Sequence, residues 1–171
     1  MLETVNLEAE LKRFFKEVIK ESRKNLKDGG NIASKNLYNN MDYDVKVMPN
    51  SISADLLMPI SMGDKISYAE FLNYGVKGAT SGKSLKDYKY TDKKPPLNKI
   101  RTWIKLKTGK FRARDLNSRA FAVQNIIYNR GIKPTEFFSK PFEKAFKTLP
   151  EELVEAYALD VEDFMEFVLK E

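Results

Sequence analysis

Residues 42–60, DYDVKVMPNSISADLLMPI, decide the fold, because the spacing of apolar residues changes to two at this point of the chain. In 43–47 the apolar side chains alternate with Asp44 and Lys46, and the alternation resumes in 52–60 after a turn that contains proline and asparagine. A period of two is typical of a strand with one buried face. The stretch therefore predicts a β-hairpin.

The segments on either side of the hairpin have helical spacing. Residues 6–28 repeat apolar side chains at steps of three and four, with Asn6 as the expected N-cap and a glycine pair after the last turn. A short second helix is expected before the hairpin. The stretch YAEFLNYGVKG, residues 68–78, is expected to be a helical turn that runs into a short strand. A long exposed loop, 79–94, follows it.

Helices are also expected in the second half of the chain. One begins at the Pro95-Pro96 pair, and the next is expected to be capped by Asp115 and ended by Gly131. A short helix follows with Pro141 in its first turn, and the last helix covers 149–170.

These elements predict an α+β fold in which an N-terminal helix and C-terminal helices pack on a small antiparallel β-sheet. At 171 residues and 42% hydrophobic composition, the chain is long enough and apolar enough to bury a core. We expect one domain at 1–147, with a basic loop-and-helix insertion at 79–114, followed by an acidic C-terminal helix at 148–171.

The composition excludes several kinds of site. The chain has no histidine and no cysteine, so disulfides and Ser–His or Cys–His catalysis are excluded. No stretch approaches the roughly 18 apolar residues that a membrane-spanning helix needs. We expect a soluble, cytosol-made protein with no membrane partner, no cofactor and no catalytic or metal-binding residue. Asp42 and Asp44 could serve a carboxylate-dependent nuclease, but the exposed face of a strand has the same pattern and is the favoured interpretation.

Charge is distributed unevenly along the chain. Residues 77–114 hold thirteen Lys or Arg and two acids, whereas 149–171 hold eight acids and one lysine. This asymmetry indicates a nucleic-acid face or complementary contacts between copies, with two solvated faces as the alternative. The tyrosines Tyr88 and Tyr90, interleaved with the lysines, could stack on exposed bases. The candidate basic residues, facing DNA or another subunit, are Lys83, Lys86, Lys89, Lys93, Lys94 and Arg101; the candidate inter-subunit acids are Glu151, Glu152, Glu155, Asp160 and Asp163.

Three segments together resemble a known family: YAEFLNYGVKG at 68–78, RAFAVQNIIYNRGI at 119–132 and KPTEFFSKPFEKAF at 133–146. In their order they resemble the tail-component family of long-tailed phages, small proteins that complete the neck or tail end and join tail to head. The chain departs from the family at Asn73 and Tyr74, where an acidic residue is usual. The matching residues are Tyr68, Ala69, Phe71 and Gly75 in the first segment and Phe137, Phe138, Pro141 and Ala145 in the last.

The resemblance spans roughly residues 1–147 and implies a structural virion protein that forms a ring, with six copies as the expected number. Such a ring sits at the head–tail junction around the DNA channel, with neck, connector and tail proteins as neighbours, after assembly in the host cytoplasm. The basic and acidic segments would then meet between subunits, or the lysines would face the DNA in the lumen. A non-catalytic, sequence-independent DNA-binding accessory protein is the alternative.

Overall fold

The computed structural model describes residues 4–32, 35–48, 51–59, 68–108 and 113–170. Within these ranges the chain has an α+β fold with seven helices and two small antiparallel sheets, as the sequence predicts. The helices are α1 Val5–Asp28, α2 Asn36–Asn39, α3 Tyr68–Tyr74, α4 Leu97–Thr108, α5 Ala113–Arg130, α6 Ser139–Phe146 and α7 Leu149–Lys170. The strands are β1 Asp42–Met48, β2 Ser51–Leu57, β3 Val76–Lys77 and β4 Gly131–Ile132.

The chain divides into two compact units. Unit 1 contains Met1–Asn25, Asn40–Met58 and Phe138–Glu171, and unit 2 contains Leu26–Asn39 and Pro59–Phe137. The sequence predicts a boundary between residues 147 and 148, whereas both of these residues lie in unit 1. The acidic C-terminal helix belongs to the same unit as the N-terminal helix and the hairpin.

The core of unit 1 lies between its helices and one face of the hairpin. β1 and β2 pair with Tyr43 opposite Leu56 and Val45 opposite Ala54, so these four side chains share one face. That face packs on a cluster of buried residues from α1 and α7, with α6 contributing further side chains; the buried members are Phe14, Phe15, Val18 and Leu149. The prediction that terminal helices pack on a small antiparallel sheet is confirmed.

In unit 2, α4 and α5 pack on each other. The buried cluster joins Ile100 and Ile104 of α4 to Leu116 and Ala120 of α5. Each pair is spaced by four residues, which places both members on one face of their helix. α5 begins at Ala113, two residues before the predicted cap, so Asp115 lies within its first turn instead.

The short elements around residue 75 agree with the sequence: α3 runs into β3, and β3 pairs with β4. The sequence also allows a last strand at IKPTEFF, residues 132–138, but the strand that forms is only Gly131–Ile132. The segment SMGDK, 61–65, which the sequence predicts to be a turn, lies outside the described residues. None of the helices in the described part of the chain combines the length and apolar character that crossing a bilayer requires.

Candidate functional site: an anchored basic loop and an acidic helix

The basic loop, residues 79–94, begins next to a close approach of two backbone segments in unit 2. β3 and β4 pair through Val76 with Ile132 and Lys77 with Gly131. Gly131 has a φ of +78°, and a Cβ there would overlap the Val76 carbonyl oxygen and lie 2.6 Å from the Gly78 nitrogen. Since only glycine fits this conformation and this approach, the glycine that ends α5 also fixes where the loop begins.

The first part of the loop covers the C-terminal end of α5. The N–H of Ala79 donates to the carbonyl of Tyr128 at 2.8 Å, and the N–H groups of Thr80 and Ser81 donate to the carbonyl of Asn129 at 3.1 and 3.0 Å. The last carbonyls of a helix have no partner within the helix. The loop supplies those donors, so it acts as the cap of α5.

The second part of the loop runs along β3 and α3. The N–H of Lys77 donates to the carbonyl of Tyr88 at 2.8 Å, and the N–H of Tyr90 donates to the carbonyl of Lys77 at 2.9 Å. The N–H of Leu85 donates to the carbonyl of Tyr74 at 2.8 Å. The segment is exposed, as predicted, but its backbone is anchored at both ends and in the middle, a property that apolar periodicity could not indicate.

Two of the predicted basic residues, Lys86 and Lys94, contact neighbouring residues within unit 2. The Nζ of Lys86 lies 4.0 Å from the centre of the Tyr74 ring and 3.6 Å from a carboxylate oxygen of Glu70. The Nζ of Lys94 donates to Asn125 at 2.9 Å and lies 5.5 Å from the centre of the Tyr128 ring. These ammonium groups therefore stabilise the loop.

The other basic residues differ in exposure. Arg101 lies on α4 and is half-buried. Lys83, Lys89 and Lys93 are exposed, and we refer to them as the exposed loop lysines. Lys86 and Lys94 are exposed as well, but their ammonium groups make the contacts within unit 2 given above.

The two interleaved tyrosines pack inward. The Tyr88 ring meets Phe71 edge-to-face with 5.2 Å between ring centres, and the Tyr90 ring lies 6.2 Å from that of Tyr128. Burial raises the pKa of Tyr90 above its ordinary value. In the structure these rings fasten the loop to unit 2, and their stacking on exposed bases stays a prediction.

The acidic helix α7 uses one of its predicted inter-subunit acids internally. Asp160 is only 2% exposed, and its two carboxylate oxygens accept the backbone N–H groups of Asn6 at 2.8 Å and Leu7 at 3.0 Å. The side chain of Asn6 also donates to Asp160 at 3.0 Å. The first N–H groups of a helix lack partners and carry partial positive charge. Asp160 therefore caps α1, which corrects both its inter-subunit role and the expectation that Asn6 is the cap.

The remaining predicted acids fall into two groups. Glu152 forms an ion pair with Arg13 at 2.9 Å. The guanidinium of Arg13 donates hydrogen bonds to Glu10 and Glu152, and these bonds raise the pKa of Arg13. Asp163 accepts a weak hydrogen bond of 3.4 Å from the Asn6 side chain. Glu151 and Glu155 are exposed.

The motif residues are divided between the two units. Ala69 is buried and Phe71 is half-buried. The sequence predicts that Tyr68 and Phe71 anchor this segment to the core, but Tyr68 is 51% exposed, which corrects its part of that prediction. Gly75 has a φ of +75°, a conformation that favours glycine.

The chain passes from unit 2 to unit 1 within the Phe-Phe pair: Phe137 is buried, and Phe138 packs against Phe142 with 5.5 Å between ring centres. Pro141 is buried in α6.

The acidic pair on the hairpin is engaged locally. Asp44 forms an ion pair with Lys46 at 2.8 Å, and this hydrogen bond raises the pKa of Lys46. Asp42 accepts the Tyr43 N–H at 2.9 Å. Among the described residues, no group of three or more acidic side chains is placed to hold a metal ion.

Comparisons of the chain with protein-family models, with curated proteins and with solved structures give no match.

Proposed function

We propose that this protein is a structural component of the neck or tail end of a long-tailed phage, and that its copies form a ring around the DNA channel. Its location would be the virion, after assembly in the host cytoplasm, with neck, connector and tail proteins as neighbours. The proposal includes no enzymatic role. The motif residues described above supply the resemblance, and their order along the chain agrees with it.

The observation that carries the proposal is the presence of two different charged surfaces on one chain. In unit 2, α4 contains Lys99, Arg101, Lys105 and Lys107 and no acid. In unit 1, α7 contains seven acids and a single lysine. Two unlike, complementary surfaces on each copy suit a head-to-tail contact, and such a contact closes into a ring when the rotation between copies allows it.

The experiment is a measurement of mass in solution, followed by electron microscopy. We expect light scattering to show a multiple of the 19.7 kDa chain and negatively stained images to show closed rings. A protein that stays monomeric up to about 1 mM, where even a contact with a Kd of about 1 mM is substantially populated, would contradict the proposal.

A non-catalytic DNA-binding role is the second candidate, and the exposed loop lysines favour it. Lysines on an anchored loop can contact phosphates of any sequence without reading bases. Binding of random-sequence DNA that collapses between about 50 and 200 mM salt, by a protein that remains monomeric, would favour this candidate over the ring.

A further inference from the structure

Helix α7 carries a continuous row of exposed apolar side chains on the face next to the one that packs in unit 1. The row is spaced at steps of three and four, so its members share one side of the helix. Their exposed fractions lie between 37% and 70%. Over fifteen residues the row is about 22 Å long. Its members are Val154, Tyr157, Val161, Met165 and Val168.

The row is distinct from the packed face of α7. Leu149, Ala156 and Asp160 are the buried residues of this helix. On the other side of the row lie the carboxylates of Glu151, Glu155 and Glu162, all exposed. Scattered apolar residues on a surface are ordinary, whereas a continuous apolar row with a polar border is typical of a contact surface.

A surface of matching character lies on α4 in unit 2. Trp103 is 40% exposed and Leu106 is 54% exposed, and their spacing of three places them on one side of the helix. The Nζ of Lys107 lies 5.1 Å from the centre of the Trp103 ring. Lys99 lies one turn before Trp103 and is exposed. We call this the α4 face: two apolar side chains between cations.

We infer that the apolar row of α7 in one copy packs on the α4 face of a second copy. This inference rests on the proposed function and names the contact that would hold the ring together. Acids border the row and cations border the α4 face, so this pairing joins opposite charges. Pairing of α7 with α7 would place two acidic borders together, and like charges at a contact are unfavourable.

Disulfide trapping tests the contact directly, because the chain has no cysteine of its own. One variant carries Val161→Cys and another carries Leu106→Cys; the two are mixed and oxidised. We expect the mixed dimer to exceed both self-dimers. It should also form when the oxidation is carried out at about 1 M salt, where the Debye length is about 3 Å and a purely electrostatic contact would be screened.

A matched pair of substitutions on α7 tests the role of the row itself. Tyr157 and Leu159 are similarly exposed, at 48% and 52%, but Leu159 lies on another side of the helix. Tyr157→Ser should weaken association about tenfold or more, whereas Leu159→Ser should change it less than about threefold.

The outcomes separate the inference from the function. A protein that assembles, but whose mixture gives only self-dimers or no cross-link, overturns this contact and leaves the ring. Equal effects of Tyr157→Ser and Leu159→Ser also overturn it. A wild-type protein that stays monomeric overturns both.

Discussion

The cap that α7 provides for α1 gives the most direct test of the structure of unit 1. Asp160→Ala removes the acceptor of three hydrogen bonds, which are between 2.8 and 3.0 Å long and involve both backbone and side-chain donors. The group is buried, so water cannot replace it without rearrangement. The donors of Asn6 and Leu7 would then lose their acceptor.

The size of the effect follows from those contacts. Loss of a helix cap costs about 0.5–2 kcal/mol, and leaving buried donors unsatisfied costs about 1–3 kcal/mol. These two costs overlap, so we expect the free energy of unfolding to fall by about 2–4 kcal/mol. With a urea dependence of about 2–3 kcal/mol per molar, the midpoint should fall by about 0.7–2 M.

The assay is urea unfolding followed by far-ultraviolet circular dichroism, combined with hydrogen exchange of the amides at the start of α1. Asp163→Asn is the matched control, because Asp163 is an exposed acid on the same helix that accepts only a 3.4 Å bond. The control should change stability by less than about 0.5 kcal/mol. If Asp160→Ala unfolded at the same urea concentration as the control, with unchanged exchange at Asn6 and Leu7, the capping argument would be refuted.

Three further perturbations test unit 2. Gly131→Ala places a Cβ against the Val76 carbonyl oxygen at positive φ and should lower the free energy of unfolding by about 2–4 kcal/mol. Unfolding is monitored by the fluorescence of the single tryptophan. Gly30→Ala, at a similar φ with no atom within 4 Å, should cost only about 1 kcal/mol, and equal losses would contradict the close-approach argument. Phe71→Ala removes the edge-to-face contact with Tyr88 and should cost about 2–3 kcal/mol by urea unfolding; an unchanged midpoint would mean that the ring does not anchor the loop. Changing the three exposed loop lysines to glutamine should spare folding and flatten the salt dependence of DNA binding by about 3 units of log K per log salt, which an unchanged slope would contradict.

Local patterns in the sequence determined most of the elements. The period of two in 42–60 located the hairpin, and steps of three and four located the long helices to within about three residues. These signals are readable because each element buries one face, and the spacing of apolar residues records that face. The exposed state of the basic segment and the presence of an acidic last helix also followed from composition.

Other features depended on contacts between residues far apart in the chain. Nothing near Asp160 in sequence indicates that it caps a helix more than 150 residues away, since the donors that need it belong to α1. The anchoring of the loop depends on carbonyls at the end of α5, and its inward tyrosines depend on rings of α3 and α5. A loop that binds DNA and a loop that packs on its own unit can have the same charge and aromatic content, so composition alone does not distinguish them.

The row on α7 shows the same division. The sequence marks Val154, Tyr157, Val161, Met165 and Val168 as apolar at helical spacing, which is also the signature of a core-facing stripe. Only the tertiary structure decided that unit 1 packs on a neighbouring face of α7 and leaves this row in solvent, because burial depends on which side of the helix the rest of the fold covers.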